Sequence, residues 1–148
     1  MTQENKQLLL KDLCARLPYK TIVKVNDTQG IMDEIDIPNE RIFVSNLNPF
    51  LYGGARASWF TVNGDKIYPY LRPMSSMTEE EKKYISDKCG FSLSRPIGGE
   101  CVLIMPVLAS EWLIDFYNEH YIDYRGWIEK GLALEALEGM YETEKQKN

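Results

Sequence analysis

His120 is the single histidine of the chain, and an imidazole is the side chain suited to proton transfer near neutral pH. Asp123, three residues on, is a possible orienting carboxylate. Catalysis at such a pair also needs a nucleophile or a held water, and nothing else in the sequence places one. The structural alternative puts His120 on the apolar face of a helix near its C-terminal end. There it would bond a freed carbonyl and gain from the helix dipole when protonated. No catalytic residue is assigned, and a small hydrolase or transferase using His120 stays open as an alternative.

Metal chemistry has less to work with. Cys14, Cys89 and Cys101 are odd in number and widely spaced, which suits neither a disulfide framework nor paired zinc ligands; reduced, mostly buried thiols are expected. Asp33, Glu34, Asp36 and Glu40 crowd into one stretch but have no glycine at the turn position of a calcium loop. Gly53-Gly54 and Gly98-Gly99 stand outside any Gly-x-Gly-x-x-Gly or Walker-type context. The expectation is no metal and no cofactor, with these glycines serving turns.

Aromatic and basic residues offer a binding chemistry instead. Trp59-Phe-Thr-Val-Asn-Gly-Asp-Lys-Ile-Tyr68 has Asn-Gly between β-rich runs, a strong hairpin signal. In that register Phe60 opposes Ile67 on one face and Trp59 opposes Tyr68 on the other. Trp59, Tyr68 and Tyr70 would then project together, with Lys66 and Arg72 nearby and Arg56 at the entry. Bases stack on such platforms, and Trp, Tyr and Arg also anchor protein interfaces; the same face could pack under a helix as core. Arg125 could grip a carboxylate or phosphate through its planar fork, or bridge to Glu129 at helical i+4 spacing.

The elements that must carry these residues follow from periodicity. Leu9, Leu10, Leu13, Cys14 and Leu17 recur at helical spacing and Pro18 ends the pattern. β-Branched Thr21 to Val25, turn chemistry over Asn26 to Gly30, and runs at Ile31 to Ile37 and Arg41 to Ser45 predict three strands. Asn46 to Ala57 is a loop whose Leu47, Phe50, Leu51 and Tyr52 are expected to tuck it against the body. Thr78 with Glu81 is a capping box for a helix running to Cys89 and stopping at Gly90. Residues 91–99 then connect to a short apolar strand at 101–105, closed by Pro106.

Ser110 is a candidate cap for a helix with Trp112, Leu113, Phe116, Tyr117 and His120 on one face and Glu111, Asp115, Asn118 and Glu119 opposite. Asp123 is a candidate cap for a last short helix halting near Gly131, and Leu132 to Leu137 fit either a closing strand or a helical turn. The reading is α+β: a mostly antiparallel twisted sheet or small open barrel from about Tyr19 to Leu71, with helices from the N-terminus and the C-terminal half packed on it. It divides one domain, 1–148, into a helix (1–18), a β-rich part (19–72), a helical part with one buried strand (73–141) and a frayed tail (142–148).

With 148 residues and a hydrophobic fraction of 44%, one packed core is expected. No apolar run approaches the roughly 20 residues that span a bilayer, and Met1 to Lys6 lack the apolar block of a signal peptide, so a cytoplasmic protein away from membranes is expected. The net charge of -5 is uneven. Residues 1–75 carry nine Lys/Arg against eight Asp/Glu, and 76–148 carry eight against fourteen, so the second half repels phosphate and the balance weighs against nucleic acid.

Two segments carry a family likeness: Pro69-Tyr-Leu-Arg-Pro-Met-Ser-Ser-Met-Thr-Glu-Glu-Glu-Lys-Lys83 and Asp123-Tyr-Arg-Gly-Trp-Ile-Glu-Lys-Gly-Leu-Ala-Leu-Glu-Ala136, with Glu138-Gly-Met-Tyr141 behind and Leu13-Cys-Ala-Arg-Leu-Pro-Tyr19 in support. Over under half its length the chain resembles small uncharacterised proteins carried by prophages and other mobile elements of gut anaerobic bacteria. Where this chain has Trp127 and Leu137, that group has a smaller aliphatic residue and a proline, so the surroundings of the last helix are expected to differ. The resemblance implies a genomic setting and no activity, cofactor or catalytic residue. The functional expectation is a non-enzymatic accessory interaction protein of a mobile element, whose partner is another protein or itself. Its contact residues would be Trp59, Tyr68, Tyr70, Arg56, Lys66 and Arg72, with a nucleic-acid-binding module as a further alternative.

Overall fold

The computed structural model describes residues 2–51, 53–89 and 107–141. The stop at Gly90, the connector at 91–99 with Gly98-Gly99, the strand at 101–105 and the tail at 142–148 lie outside the described residues. So do Tyr52 and the side chains of Cys89 and Cys101.

Helix α1 spans Gln3–Arg16, opened by Thr2, whose hydroxyl accepts from the Asn5 amide at 3.1 Å. Pro18 turns the chain into a 3-10 turn over Leu17–Tyr19, and Lys20 at φ 52° ends it. Leu9, Leu10 and Leu13 are buried as their spacing predicts, but Asp12 and Arg16 are buried too, at 0% exposure. They pair with each other at 2.9 Å, and the Arg16 guanidinium also donates to the Ile122 carbonyl at 2.9 Å. Cys14 is a half-buried free thiol whose pKa burial pushes up.

Five strands follow: β1 (Ile22–Val25), β2 (Thr28–Asp36), β3 (Arg41–Ser45), β4 (Ser58–Thr61) and β5 (Ile67–Leu71). The turn between β1 and β2 is shorter than the predicted Asn26-to-Gly30 segment. Val25 pairs with Thr28, Asn26 takes φ 53°, and Gly30 lies inside β2. Glycine is required there because a β-carbon would run into the Ser45 carbonyl and the Val44 side chain of β3.

The predicted β4–β5 hairpin does not form. β4 pairs with β3, setting Phe60 against Ile42 and Trp59 against Phe43, while β5 pairs with β1, setting Ile67 against Val25 and Tyr68 against Lys24. Neither Asn63 nor Gly64 has the positive φ that an Asn-Gly hairpin turn needs. Asp65 builds the link instead: its carboxylate accepts from the Thr61 amide at 2.8 Å and its own amide donates to the Thr61 carbonyl at 3.0 Å. The strand order β4-β3-β2-β1-β5, continued by a short strand β6 (Leu134–Glu135), puts three strands between β4 and β5 although residues 62–66 join them. The sheet therefore curls into a small open barrel.

Alternation along each strand sends Val23, Val25, Met32, Ile42, Val44, Phe60 and Ile67 into one core with the leucines of α1. After β5, Pro73 leads through a 3-10 turn at Met74–Ser76 to α2 (Glu79–Cys89), opened by the predicted Thr78–Glu81 capping box. Helix α3 (Val107–Glu119) is already under way at Val107, so Ser110 lies within it rather than at its cap. Leu113 and Phe116 are buried on its apolar face against Ile85 of α2. Asn118, assigned to the solvent face, is 2% exposed.

No helix forms after Asp123. Its carboxylate accepts from the Trp127 and Ile128 amides at 2.8 and 2.9 Å, capping a loop, and Gly126 and Gly131, both at φ 72°, break any helical run between them. Arg125 consequently has no i+4 partner in Glu129; it reaches Asp12 at 3.6 Å. Strand β6 (Leu134–Glu135) lies parallel to β5 at the edge of the sheet opposite β4, and Trp127, Leu132 and Ala133 pack there on Leu71.

Candidate functional site

Two places gather chemistry-bearing side chains. The first is a cleft of about 410 Å³ lined by Arg72, Thr78, Glu81, His120, Tyr121 and Tyr141 among others. Arg72 leaves the end of β5 and enters this cleft rather than joining the aromatic strands. Its guanidinium donates to both oxygens of Glu81, at 3.0 and 2.7 Å, and to the carbonyls of His120 and Ser76, at 3.3 and 3.1 Å. Glu81 also accepts from the Thr78 amide. Burial raises the Glu81 pKa, but the bonds from Arg72 and Thr78 and the charges of Arg72 and His120 outweigh it and hold the carboxyl down to about 2.

His120 does line the cleft. Its Nδ1 lies 3.6 Å from Glu81 Oε2 and its ring packs 4.1 Å from that of Phe116. The nearby carboxylate is Glu81 of α2 rather than Asp123, which is committed to the loop amides.

The hydroxyls around His120 are engaged. Ser76 donates to the Pro73 carbonyl at 2.7 Å, and Thr78 accepts from the Glu81 amide at 3.1 Å. Tyr141, stacked on Tyr121, inserts its hydroxyl where β1 and β5 part, donating to the Tyr70 carbonyl at 2.7 Å and accepting from the Ile22 amide at 3.0 Å. Burial pushes that phenol's pKa well above its ordinary range.

The second place is the outer face of β2, β3 and β4. Trp59 is 37% exposed, its ring centroid 5.2 Å from that of Phe43 across the strand pair. The Arg41 guanidinium covers the indole at 4.3 Å from its centroid and donates to Asp36 at 2.8 Å. Bonds from Asn39 and from Arg41 lower the Asp36 pKa.

A bulge between Met32 and Glu34 resets the alternation of β2, so Glu34 stands opposite Phe43 and both Asp33 and Glu34 face solvent. At the far end of β3 the loop from Asn46 does not tuck in as predicted. Leu47 is buried, but Phe50 is 94% exposed, held on a turn in which Asn48 accepts from its amide.

The six sequence-derived contact residues are thus dispersed. Tyr68 and Tyr70 lie on β5, on the far side of β1 and β2 from Trp59. Lys66 is exposed in the link before β5, its amide bonded to the Asn26 side chain. Arg56 is exposed in the β3–β4 loop, its carbonyl accepting from Leu47, and Arg72 is in the cleft. Arg41 and Phe43, which the structure sets beside Trp59, carried a usable signal: alternation along β3 puts both on the face opposite Ile42 and Val44.

Among the described residues no group of three or more His, Cys, Asp and Glu side chains is placed to hold a metal ion, and no helix is long and apolar enough to cross a membrane. The chain matches no protein-family profile, no curated protein and no solved structure.

Proposed function

We propose that this chain is a non-enzymatic interaction protein, an accessory protein of a mobile element, that engages a protein partner through the outer face of β2, β3 and β4. The observation that carries the reading is the Phe43–Trp59–Arg41 cluster. Aromatic and arginine side chains are held together on a strand pair with the indole partly exposed, and such residues dominate interface energetics. The cleft favours this reading by contrast, because Arg72 and Glu81 saturate each other and the neighbouring hydroxyls hold backbone groups in place. The mobile-element setting rests on the two sequence blocks that resemble prophage proteins.

A tagged protein carrying a photo-crosslinker at Thr61, beside Trp59 on the same face, tests it in native cells. The expected result is a discrete crosslinked partner, or a second copy of the chain, that disappears in Trp59→Ala while the far-ultraviolet dichroism stays unchanged. Crosslinks that persist in Trp59→Ala, or that form only from a probe at Glu80 on α2, overturn it.

A further inference from the structure

The outer face contains a worked example of how it holds a cation. Arg41 sits between the Asp36 carboxylate at 2.8 Å and the Trp59 ring at 4.3 Å, so one carboxylate and one aromatic ring together clamp a guanidinium. The neighbouring row, one step along the same strands, offers a second carboxylate and a second ring and shares the Trp59 indole that Arg41 already covers. Glu34 stands opposite Phe43, which stands opposite Trp59, and the bulge adds Asp33 beside them, also exposed. Among the described residues neither Asp33 nor Glu34 has an ion-pair partner. With Arg41 neutralised by Asp36, these two carboxylates leave the face negative, and a carboxylate beside an aromatic ring attracts an ammonium or guanidinium group.

We infer that the partner presents a basic segment, whose lysine or arginine side chain docks on the exposed Asp33 and Glu34 carboxylates beside the Phe43 and Trp59 rings. This rests on the interaction reading above and names the chemistry of its partner. A positively charged peptide fits this face, whereas a nucleic acid brings phosphates against the two carboxylates. The bulge is the device that makes the site, because regular alternation would send Glu34 inward and leave one outward carboxylate where there are two.

The test uses fluorescence anisotropy with a labelled oligolysine peptide, an oligoglutamate of equal length and single-stranded DNA. The full-length chain is expected to bind oligolysine alone, more weakly as salt rises. Binding should fall about tenfold or more in Asp33→Asn/Glu34→Gln and in Trp59→Ala, with the far-ultraviolet dichroism of both variants unchanged. A control, Glu80→Gln/Glu129→Gln, removes the same charge from exposed positions elsewhere and should leave affinity within about twofold.

Equal weakening by the control means diffuse attraction to an acidic protein and overturns the site. Preference for DNA, or no binding to oligolysine, also overturns it. If a partner crosslinked from Thr61 is lost in Trp59→Ala but retained in Asp33→Asn/Glu34→Gln, the basic-segment inference fails while the interaction reading survives.

Discussion

The cleft and the outer sheet face use the same vocabulary of arginine, carboxylate and aromatic ring, and they differ in how completely those groups are consumed. In the cleft Arg72 spends its fork on both oxygens of Glu81 and on two carbonyls, joining the end of β5 to α2 and α3. On the outer face Arg41 donates to Asp36 and lies over the Trp59 ring, while Asp33 and Glu34 are exposed and the indole keeps 37% of its surface open. Saturation marks a joint and incompleteness marks a surface. Substitutions in the first region should therefore cost stability, and those in the second should cost binding.

The largest effect is expected beneath the cleft. Asp12 and Arg16 are buried, and Arg16 holds the Ile122 carbonyl; Ile122 in turn makes an isolated β-bridge with Arg72, just past the end of β5. Arg16→Met leaves the Asp12 carboxylate buried without its closest cation and should cost about 3–5 kcal/mol, read as a lower denaturant midpoint. The double variant Asp12→Leu/Arg16→Met should recover much of that loss. A loss under about 1 kcal/mol in the single variant would show that this pair is not a joint and would break the comparison.

Glu81→Gln should cost about 1–2 kcal/mol at neutral pH once solvent screening at its partly exposed carboxylate is allowed for. Its folded pKa, near 2, lies below the unfolded value of about 4.3, so the folded state favours the ionised form. The stabilisation is fully present above the unfolded value and is lost as pH falls from there through about 2. Urea unfolding at stepped pH should show wild type and Glu81→Gln converging over that window. Parallel curves would mean that the Arg72 bonds do not depend on the charge. Tyr141→Phe removes the hydroxyl bridging β1 and β5 and should cost about 1–2 kcal/mol, with hydrogen exchange at the Ile22 amide accelerating beyond the global change.

How much of this could be read from residues alone depends on how local the cause is. Alternation and β-branching predicted β1 to β3, and the Thr78–Glu81 box predicted the start of α2, because those preferences act within a few residues. The β4–β5 hairpin failed because Asn63-Gly64 is a local signal overruled by distant pairing: each flanking strand finds a better partner elsewhere, and Asp65 ties off the link. The sequence predicts that Asp123 caps a short helix; it caps a loop instead, since the glycines at 126 and 131 break the helical run.

The proposed contact face is half visible in the sequence. Trp59 stood out by residue type, but its neighbours Phe43 and Arg41 depend on which strand lies alongside, and the outward turn of Glu34 depends on a bulge that no composition signals. Arg72 was misplaced for the same reason, because its partner comes from the helix after the turn rather than from the sheet.

The smallest stability effect is the most discriminating. Trp59→Ala removes an indole already 37% exposed, together with its contacts to Phe43 and the Arg41 guanidinium. Exposed cation–π and aromatic pairs are each worth about 0.5–1.5 kcal/mol, and Arg41 keeps Asp36 when the ring goes, so the net cost should stay near about 1 kcal/mol. If Trp59→Ala instead destabilises the fold by about 3 kcal/mol or more, as truncating a core aromatic does, the outer face is part of the frame and its incompleteness says nothing about a partner. A near-neutral midpoint with loss of the Thr61 crosslink places the indole where a surface residue belongs, in the binding energy rather than in the folding energy.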